Sequence, residues 1–448
     1  MSIGPELAIV GRVRPATALV RGLAFILVLG AVSTLMAEPN GAAEALPVTG
    51  TSDSRLTAFD TLLTGFLRDR DIPGAALTIS RKGQVVLSRG YGYSDVEHKV
   101  PVQPDSLFRI ASISKPITAV AVMRLVEQGK LGFDDKVVHW VQVEPHLAPG
   151  TQFDSRINDI TIRQLLQHTG GWDRDVSFDP MFRSVEIAAE LKTPPPAMPK
   201  DVIQYMFGRR LDFDPGTRFA YSNFGYCLLG RIIEQATGQG YEDCIRKFVL
   251  EPVGIQGMRL GRTLLDGRVA GEVKYYVPPG ATGEAVMGPD LGKQVPWPYG
   301  AWCLEAMDSH GAWIASAPDL IRFACAFDDP SRSPLLQRET IETMFARPGA
   351  AAGFDTKGQP KISYCGCGWF VKRVGKNGEV NRSHTGSLDG TSTLLLCRPD
   401  GINMAVLFNI RNGSRERVPA RAIGPLLELV GDQVTEWPEP ARPATAGD

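Results

Sequence analysis

The sequence predicts an α+β fold: an antiparallel sheet flanked by helices, with a second lobe that is mostly helical. Two β-prone runs flank Lys82-Gly83 within residues 75–89, which is the pattern of a hairpin. Two further β-prone runs, residues 391–397 and 402–410, are joined by Pro399-Asp400-Gly401. Helical patterns fill the chain between these hairpins. We therefore expect the two hairpins to form one sheet, with the helical middle inserted as the second lobe.

Length and composition are those of an ordinary globular protein. The chain has 448 residues, enough for roughly three domains or one large composite domain. Hydrophobic residues make up 43% and charged residues 22%, which excludes a disordered, collagen-like or coiled-coil chain. Lys and Arg total 48 and Asp and Glu total 49, a net charge of −1. Nucleic-acid-binding proteins usually carry a basic excess, so we expect no nucleic-acid partner.

The N-terminal segment has the features of an export signal. Residues 23–36 form an apolar run without charge, three arginines precede it, and Ala43-Glu44-Ala45 follows as an A-x-A pattern. We expect residues 1–45 to be a signal peptide or an uncleaved membrane anchor, and the body of the protein to work in the periplasm or outside the cell. A buried helix is the alternative for this run.

The rest of the chain is predicted to contain one large domain. We expect a linker at 46–54, the large domain at 55–431 and a disordered tail at 432–448. The domain is divided into a sheet lobe at about 55–110 and 310–431 and a helical lobe at about 111–309. Helical periodicity predicts helices at 56–68, 112–128, 225–236, 241–250, 318–327 and 420–430.

Residues 262–306 show no clear period and are rich in Gly and Pro, so we expect a long loop region that decides the substrate. Five aromatic residues are candidates either for a pocket lining or for anchors in the core: Trp172, Trp297, Tyr299, Trp302 and Trp313.

The cysteines and histidines predict no metal or cofactor. The seven cysteines are an odd number in a long chain, so we expect small buried apolar residues, with one disulfide as the alternative. The six histidines are too scattered to form a metal site. The chain also lacks a P-loop, a dinucleotide-binding glycine pattern, an H-E-x-x-H motif and a G-x-S-x-G elbow.

The first motif with a chemical meaning is Ser112-Ile113-Ser114-Lys115 at the start of a predicted helix. Positions three apart share a helix face, so the Lys115 amine can reach the Ser112 hydroxyl. A partly desolvated amine can remove the proton that keeps a serine a poor nucleophile. Taken alone, the motif is equally compatible with a helix cap and a surface lysine.

The second motif is Tyr221-Ser222-Asn223, just before the helix predicted at 225. The Tyr221 phenol can exchange a proton with a nucleophile or a leaving group, and the Asn223 amide can hold a substrate carbonyl or amide. The alternative is a turn with a packed tyrosine.

The third motif is His384-Thr385-Gly386-Ser387, which we expect just before the strand at 391. A glycine there lets a substrate approach the backbone, and an edge strand offers N–H groups to an extended substrate. A second H-T-G occurs at His168. It follows an amphipathic helical turn, so we assign His168 a structural role at the end of a helix.

In this order, S-x-x-K, Y-x-N and [KH]-T-G resemble the serine β-lactamase and penicillin-binding protein superfamily. The resemblance is to the class C β-lactamase-like branch, which includes DD-peptidases, D-aminopeptidases and carboxylesterases. It covers about residues 55–431 and includes Ile72-Pro73-Gly74-Ala75 and Ser316-Ala317-Pro318. It implies the β-lactamase/DD-peptidase-like fold, with the active site between the two lobes.

The resemblance also implies roles for the motif residues. Ser112 would be acylated, Lys115 and Tyr221 would share proton transfer, and Asn223 would orient the substrate. The N–H groups of Ser112 and Ser387 would form the oxyanion hole. The segment from His384 to Ser387, including Thr385 and Gly386, would bind the substrate.

One position departs from many β-lactamases, which have Lys where this chain has His384. An imidazole that titrates between about pH 5 and 8 attracts a carboxylate less strongly, so efficient β-lactam hydrolysis is not expected. The sequence predicts a serine hydrolase acting on a small ester, a D-amino-acid peptide or a β-lactam-like compound. The alternative is a non-catalytic penicillin-recognising or scaffolding protein. The oligomeric state stays open.

Overall fold

The computed structural model describes residues 45–414 and 418–438. The apolar run at 23–36, predicted to direct export or to anchor the chain, lies outside the described residues, as does most of the predicted tail. Within the described part of the chain, no helix combines the length and apolar character needed to cross a membrane.

The strands follow in chain order. They are β1 Val48–Thr49, β2 Gly74–Arg81, β3 Gln84–Asp95, β4 Val100–Pro101, β5 Phe108–Arg109, β6 Arg259–Leu260, β7 Thr282–Glu284, β8 Gln294–Pro296, β9 Trp313–Ala315, β10 Ser363–Cys365, β11 Phe370–Arg373, β12 Val380–Leu388, β13 Thr391–Cys397 and β14 Ile402–Phe408.

The helices are α1 Thr57–Asp69, α2 Ser114–Glu127, α3 Val137–Trp140, α4 Ile162–Leu166, α5 Ser184–Leu191, α6 Pro199–Phe207, α7 Asn223–Thr237, α8 Tyr241–Ile245, α9 Ala317–Cys325, α10 Arg338–Phe345, α11 Ala350–Gly353 and α12 Pro419–Gln433. One π-helical turn, Arg246–Leu250, continues α8.

The main sheet joins the two ends of the domain, which confirms the predicted architecture. Its strand order is β1-β3-β2-β14-β13-β12-β11-β10, and β4 pairs with β3. β2 and β14 are antiparallel neighbours, with Ala405 opposite Thr78. The N-terminal and C-terminal hairpins therefore lie side by side, and the helical lobe is inserted between them in the chain.

The side chains of β14 pack in apolar cores on both faces of the sheet. Successive side chains of a strand point to opposite faces. Met404 and Val406 pack in one apolar core with residues of α1 and α12. Ala405 and Leu407 belong to the other core, on the face against which α9 packs. A strand that is buried on both faces carries a continuous apolar run rather than an alternating one.

The helical lobe is organised around α2. Its side chains are buried on nearly all sides, which identifies it as a central helix of the lobe. Gly129, at φ +66°, follows its C-terminus in the left-handed conformation that glycine adopts most easily. The short strand β5 precedes α2 and pairs with β9 in a small three-stranded sheet. The start of α2 is thereby held at the junction of the two lobes.

Three segments differ from the expectations. β1 lies within the predicted linker 46–54 and pairs with β3. The region 262–306 contains a short hairpin, β7–β8, beside its loops. β12 contains the whole His384–Ser387 segment, which we expected to precede the strand at 391, and it pairs with β13 from Arg382 to Leu388.

All seven cysteines lie in the described part of the chain and are free thiols. Six of them are buried, as expected for small apolar residues, and burial raises the pKa of the Cys227 thiol to about 12.

Candidate active site

The turn that carries Ser112 is set just before α2. Ser112 lies in a 3-10 turn, Ala111–Ile113, and α2 begins at Ser114 rather than at Ser112. Ala111 has φ +47°, a left-handed conformation that is rare for a residue with a side chain and that clusters at functional sites. The Ser114 hydroxyl donates a 2.7 Å hydrogen bond to the Ala111 carbonyl. Ser112, and not Ser114, lines the cavity of this site.

Lys115 is in position to act on Ser112. Its Nζ donates hydrogen bonds to Ser112 Oγ at 3.1 Å and to the His310 carbonyl at 2.9 Å. The Lys115 side chain is 0% exposed. Burial holds the pKa of the Lys115 amine well below its ordinary value, because a charged ammonium is disfavoured away from water. The amine therefore loses its proton more readily than an exposed lysine does.

A partly buried ion pair lies close in the chain to the carbonyl that holds Lys115. Asp308, two residues before His310, pairs with Arg231 of α7 and accepts a hydrogen bond from the Ser309 N–H. No local motif in the sequence marks this pair, because its partners are far apart in the chain.

Tyr221 lies beside Ser112 and Lys115. The Lys115 Nζ is 4.9 Å from the centroid of the Tyr221 ring. Burial raises the pKa of the Tyr221 phenol, and a hydrogen bond with Ser112 opposes the shift. The phenol keeps its proton at neutral pH and is available as a proton donor.

Asn223 opens α7 and is held by an acid that the sequence analysis missed. The Asn223 Nδ2 donates a 2.6 Å hydrogen bond to Asp179 Oδ2. Burial raises the pKa of the Asp179 carboxyl. With Nδ2 bonded to Asp179, the Asn223 Oδ1 is buried without a hydrogen-bond partner among the described residues. Asp179 lies in a loop with no recognisable motif, so only the folded structure reveals it.

β12 supplies the opposite wall of the site. His384, Thr385 and Ser387 line the cavity. β11 pairs only with residues 380–383 of β12, so the part of β12 from His384 onward keeps a free edge on the side away from β13. This free edge is what an extended substrate would need, although β12 as a whole is not the last strand of the sheet.

Position 386 requires a glycine because the backbone at Ile110 lies very close to it. A Cβ atom at Gly386 would lie 2.1 Å from the Ile110 carbonyl oxygen and 2.2 Å from Thr393 Oγ1. Thr393 Oγ1 in turn donates a 3.0 Å hydrogen bond to that same carbonyl. The turn that carries Ser112 is thus seated directly on β12 and β13, and only glycine leaves room for it.

The expectation that the His384 imidazole titrates between about pH 5 and 8 is wrong. Burial, and then the nearby Lys115, lower the pKa of the His384 imidazole to about 3, so it is neutral between pH 5 and 8. Its Nδ1 lies 2.8 Å from the Thr385 carbonyl oxygen, which can only accept, so Nδ1 carries the hydrogen. The Nε2 atom of the neutral ring is then a hydrogen-bond acceptor.

The cavity that contains Ser112 has a volume of about 480 Å³. Three of its lining side chains are cationic, and among the described lining residues none is acidic: Ser112, Arg174, Phe182, Phe219, Tyr221, Asn223, Met307, His310, Gly311, Phe370, His384, Thr385, Ser387, Leu388, Arg411, Val418 and Arg421. The region 262–306 and the five aromatic candidates contribute nothing to this lining, which corrects the expectation that 262–306 decides the substrate.

The three arginines differ in how far their charge is balanced. The Arg411 guanidinium lies 3.1 Å from the Asp389 carboxylate. Arg174 lies 3.8 Å from Asp179 Oδ2 and 4.8 Å from the centroid of the Tyr221 ring. Arg421, on α12, is exposed and forms no ion pair with any described residue. The positive charge of the cavity is therefore supplied by arginines and not by His384.

No group of three or more His, Cys, Asp or Glu side chains that could hold a metal ion occurs in residues 45–414 and 418–438.

The fold and this site define a two-lobed α+β protein in which a serine and a buried lysine meet at one cavity. The family model for Beta-lactamase matches residues 59–427, so the chain belongs to the Beta-lactamase family. A curated relative, Protein flp from Staphylococcus aureus (strain COL), is 27% identical over 367 residues. That match covers 81% of this chain and 64% of the relative, so the chain spans less than two thirds of the relative's length.

Two solved structures share the fold. The octameric penicillin-binding protein homologue from Pyrococcus abyssi has a TM-score of 0.60 and 25% identity, covering 83% of this chain and 77% of that chain. The D-amino acid amidase from Ochrobactrum anthropi SV3 has a TM-score of 0.64 and 21% identity, covering 85% of this chain and 98% of that chain.

Proposed function

We propose that the protein is a serine hydrolase that forms an acyl-enzyme on Ser112 from an ester or an amide. The observation that carries this proposal is the unexposed Lys115 amine, 3.1 Å from Ser112 Oγ, at the wall of the cavity. A neutral amine at hydrogen-bond distance can accept the Ser112 proton as the hydroxyl attacks.

Acylation would proceed as follows. Ser112 Oγ forms a bond to the substrate carbonyl carbon while its proton moves to the Lys115 amine. The N–H groups of Ser112 and Ser387 stabilise the negative charge that develops on the carbonyl oxygen. The bond to the leaving group then breaks, and the leaving oxygen or nitrogen takes a proton from the Tyr221 phenol. The proton on Lys115 restores the phenol.

Deacylation repeats these steps with water. A water molecule attacks the acyl carbonyl and gives its proton to the Lys115 and Tyr221 pair, and the bond to Ser112 Oγ breaks. The proton returns to Ser112, and the carboxylic acid product leaves. The raised pKa of Tyr221 and the lowered pKa of Lys115 support this division of roles between donor and base.

The charge of the cavity supports a substrate that carries a carboxylate. Arg174, Arg411 and Arg421 contribute three cations, and among the described residues only Arg411 and Arg174 have an acidic neighbour. A free ammonium group on the substrate would be repelled. We therefore propose anionic esters, acylated D-amino-acid peptides or β-lactam-like compounds as substrates. The name of one structural neighbour, a penicillin-binding protein homologue, is compatible with this range.

The proposal is tested by steady-state hydrolysis on a matched panel. p-Nitrophenyl esters of acyl groups of equal length, one anionic, one neutral and one with an ammonium group, are compared with a fluorescent penicillin. We expect turnover of the esters, with kcat/KM highest for the anionic ester. A stable stoichiometric penicillin adduct without any turnover of esters or amides would instead favour the non-catalytic penicillin-recognising alternative. Absence of both adduct and turnover would overturn the hydrolase proposal.

A further inference from the structure

His168 belongs to the H-T-G sequence that the proposed mechanism leaves unused. It follows α4, but it lies directly against Tyr221. The two rings are stacked, with centroids 4.4 Å apart and an interplanar angle of 29°. The His168 ring also contacts Tyr226 at 5.0 Å and Phe219 at 5.8 Å between centroids. A role in ending a helix does not require any of these contacts.

Two hydrogen bonds bracket Tyr221 in the chain. The His168 carbonyl accepts a hydrogen bond from the Ala220 N–H at 2.9 Å, and His168 Nδ1 accepts one from the Ser222 N–H at 3.2 Å. One residue therefore fixes the backbone on both sides of Tyr221 and the face of its ring.

The tautomer of His168 follows from these bonds. Because Nδ1 accepts the hydrogen bond from the Ser222 N–H, it must carry a lone pair. The neutral ring therefore carries its hydrogen on Nε2. Burial, and then the nearby Lys115, lower the pKa of His168 well below its ordinary value, which keeps the ring neutral. The Nδ1 acceptor is thus retained at neutral pH.

The backbone of His168 indicates that the side chain is needed. His168 has φ +56°, in the left-handed region that glycine adopts without strain. A glycine would suit this helix end better and would also provide the carbonyl that holds Ala220. Only a side chain with an acceptor close to the backbone can hold the Ser222 N–H as well.

We propose that His168 is a positioning residue that holds Tyr221 in place to donate a proton to the leaving group. This inference rests on the proposed function and deepens it. His168 itself is not among the residues that line the cavity. The loss of His168 is therefore expected to affect proton transfer more than substrate binding.

The test compares two esters of the same acid, a p-nitrophenyl ester and an alkyl ester, by kcat/KM, which reports acylation. A nitrophenolate leaves without a proton, whereas an alkoxide needs one. In His168→Ala we expect kcat/KM for the alkyl ester to fall on the order of 10²-fold, as for a misplaced catalytic group, and much less for the p-nitrophenyl ester. Tyr221→Phe should show the same pattern, and the double variant should lose little more than Tyr221→Phe alone.

His168→Asn keeps the test informative if His168→Ala folds poorly. Asparagine tolerates the left-handed backbone and places an amide oxygen where Nδ1 lies, but it removes the ring. We expect it to recover part of the alkyl-ester activity. His139→Asn, at an exposed position of α3, is the matched control and should equal the wild type.

Equal losses on the two esters, or additive losses in the double variant, would overturn the positioning role. The failure of the proposed function looks different. If neither ester acylates Ser112 of the wild-type protein, the hydrolase proposal falls, and the role of His168 falls with it.

Discussion

The amine of Lys115 lies 3.1 Å from the hydroxyl of Ser112 and has no exposure to solvent. The carbonyl of His310 holds the same amine from a second direction, at 2.9 Å. A group placed in this way can exchange a proton with Ser112 but not freely with bulk water. The expected behaviour of the site follows from this pair and from the arginines around it.

Removal of the Lys115 amine should slow acylation. We expect Lys115→Met to lower kcat/KM for a p-nitrophenyl ester by about 10² to 10⁴-fold, the usual contribution of a general base. Methionine fits a buried position without a charge, so the fold should be retained, which circular dichroism can check. A Lys115→Met variant with activity within threefold of the wild type would contradict the role of the amine as base.

The pH dependence of kcat/KM should reflect the protonation of Lys115 and not that of His384. Because the neutral amine is the reactive form, kcat/KM for a neutral ester should rise with pH through a midpoint well below the ordinary lysine value. The raised pKa of Tyr221 predicts no fall in activity up to about pH 10 from loss of its proton. His384 is uncharged between pH 5 and 8, so His384→Gln should leave the shape of the profile unchanged there. A change of kcat/KM between pH 5 and 8 that disappears in His384→Gln would show that the pH dependence comes from His384 and not from Lys115.

Arg421 should contribute to the preference for anionic substrates. In Arg421→Gln we expect KM for an anionic ester to rise about 3- to 10-fold, the effect of losing one partly exposed charge contact, while KM for the neutral ester stays constant. Arg332→Gln is the control, because Arg332 pairs with Asp329 outside the cavity. Equal changes in KM for the two esters would remove the charge role of Arg421.

Gly386 should not tolerate a side chain. In Gly386→Ala the new methyl group would collide with the backbone at Ile110, two residues before Ser112. We expect a loss of stability of about 1–3 kcal/mol, typical of overpacking, together with lower kcat/KM. Thermal unfolding and ester hydrolysis measure both. Gly65→Ala is the matched control, because nothing lies within 4 Å of a Cβ at that position of α1. A Gly386→Ala variant as stable and active as the wild type would refute this view of the turn.

The fold and the motif residues could be predicted because their signals are local. Hairpin patterns and helical periodicity located the two ends of the main sheet and the start of α2. Ser112, Lys115, Tyr221, Asn223 and the segment from His384 to Ser387 lie around one cavity or hold its walls. Each motif was ambiguous when taken alone, and the expectation of one site came from the resemblance of the three motifs to the serine β-lactamase superfamily.

The rest of the site depends on long-range packing. Asp179 and Arg174 come from a loop without a motif, and the charge state of His384 depends on how deeply the imidazole is buried. β12 was not predicted as a strand because its sequence, VNRSHTGSL, has few β-branched residues and many polar ones. The region 262–306 was overrated, because length and lack of periodicity do not show which loops reach the cavity.

The central claim, that Ser112 is the nucleophile, is tested most directly by locating the acyl group. The protein is mixed with a p-nitrophenyl ester, quenched in acid during turnover and mapped by peptide mass spectrometry. Ser114 is the rival in the same motif, but its hydroxyl is bonded to the Ala111 carbonyl at 2.7 Å. We predict the added acyl mass on Ser112 in the wild type and in Ser114→Ala. In Ser112→Ala we expect no adduct and a loss of kcat on the order of 10⁶. An acyl group on Ser114, or turnover that persists in Ser112→Ala, would contradict the account.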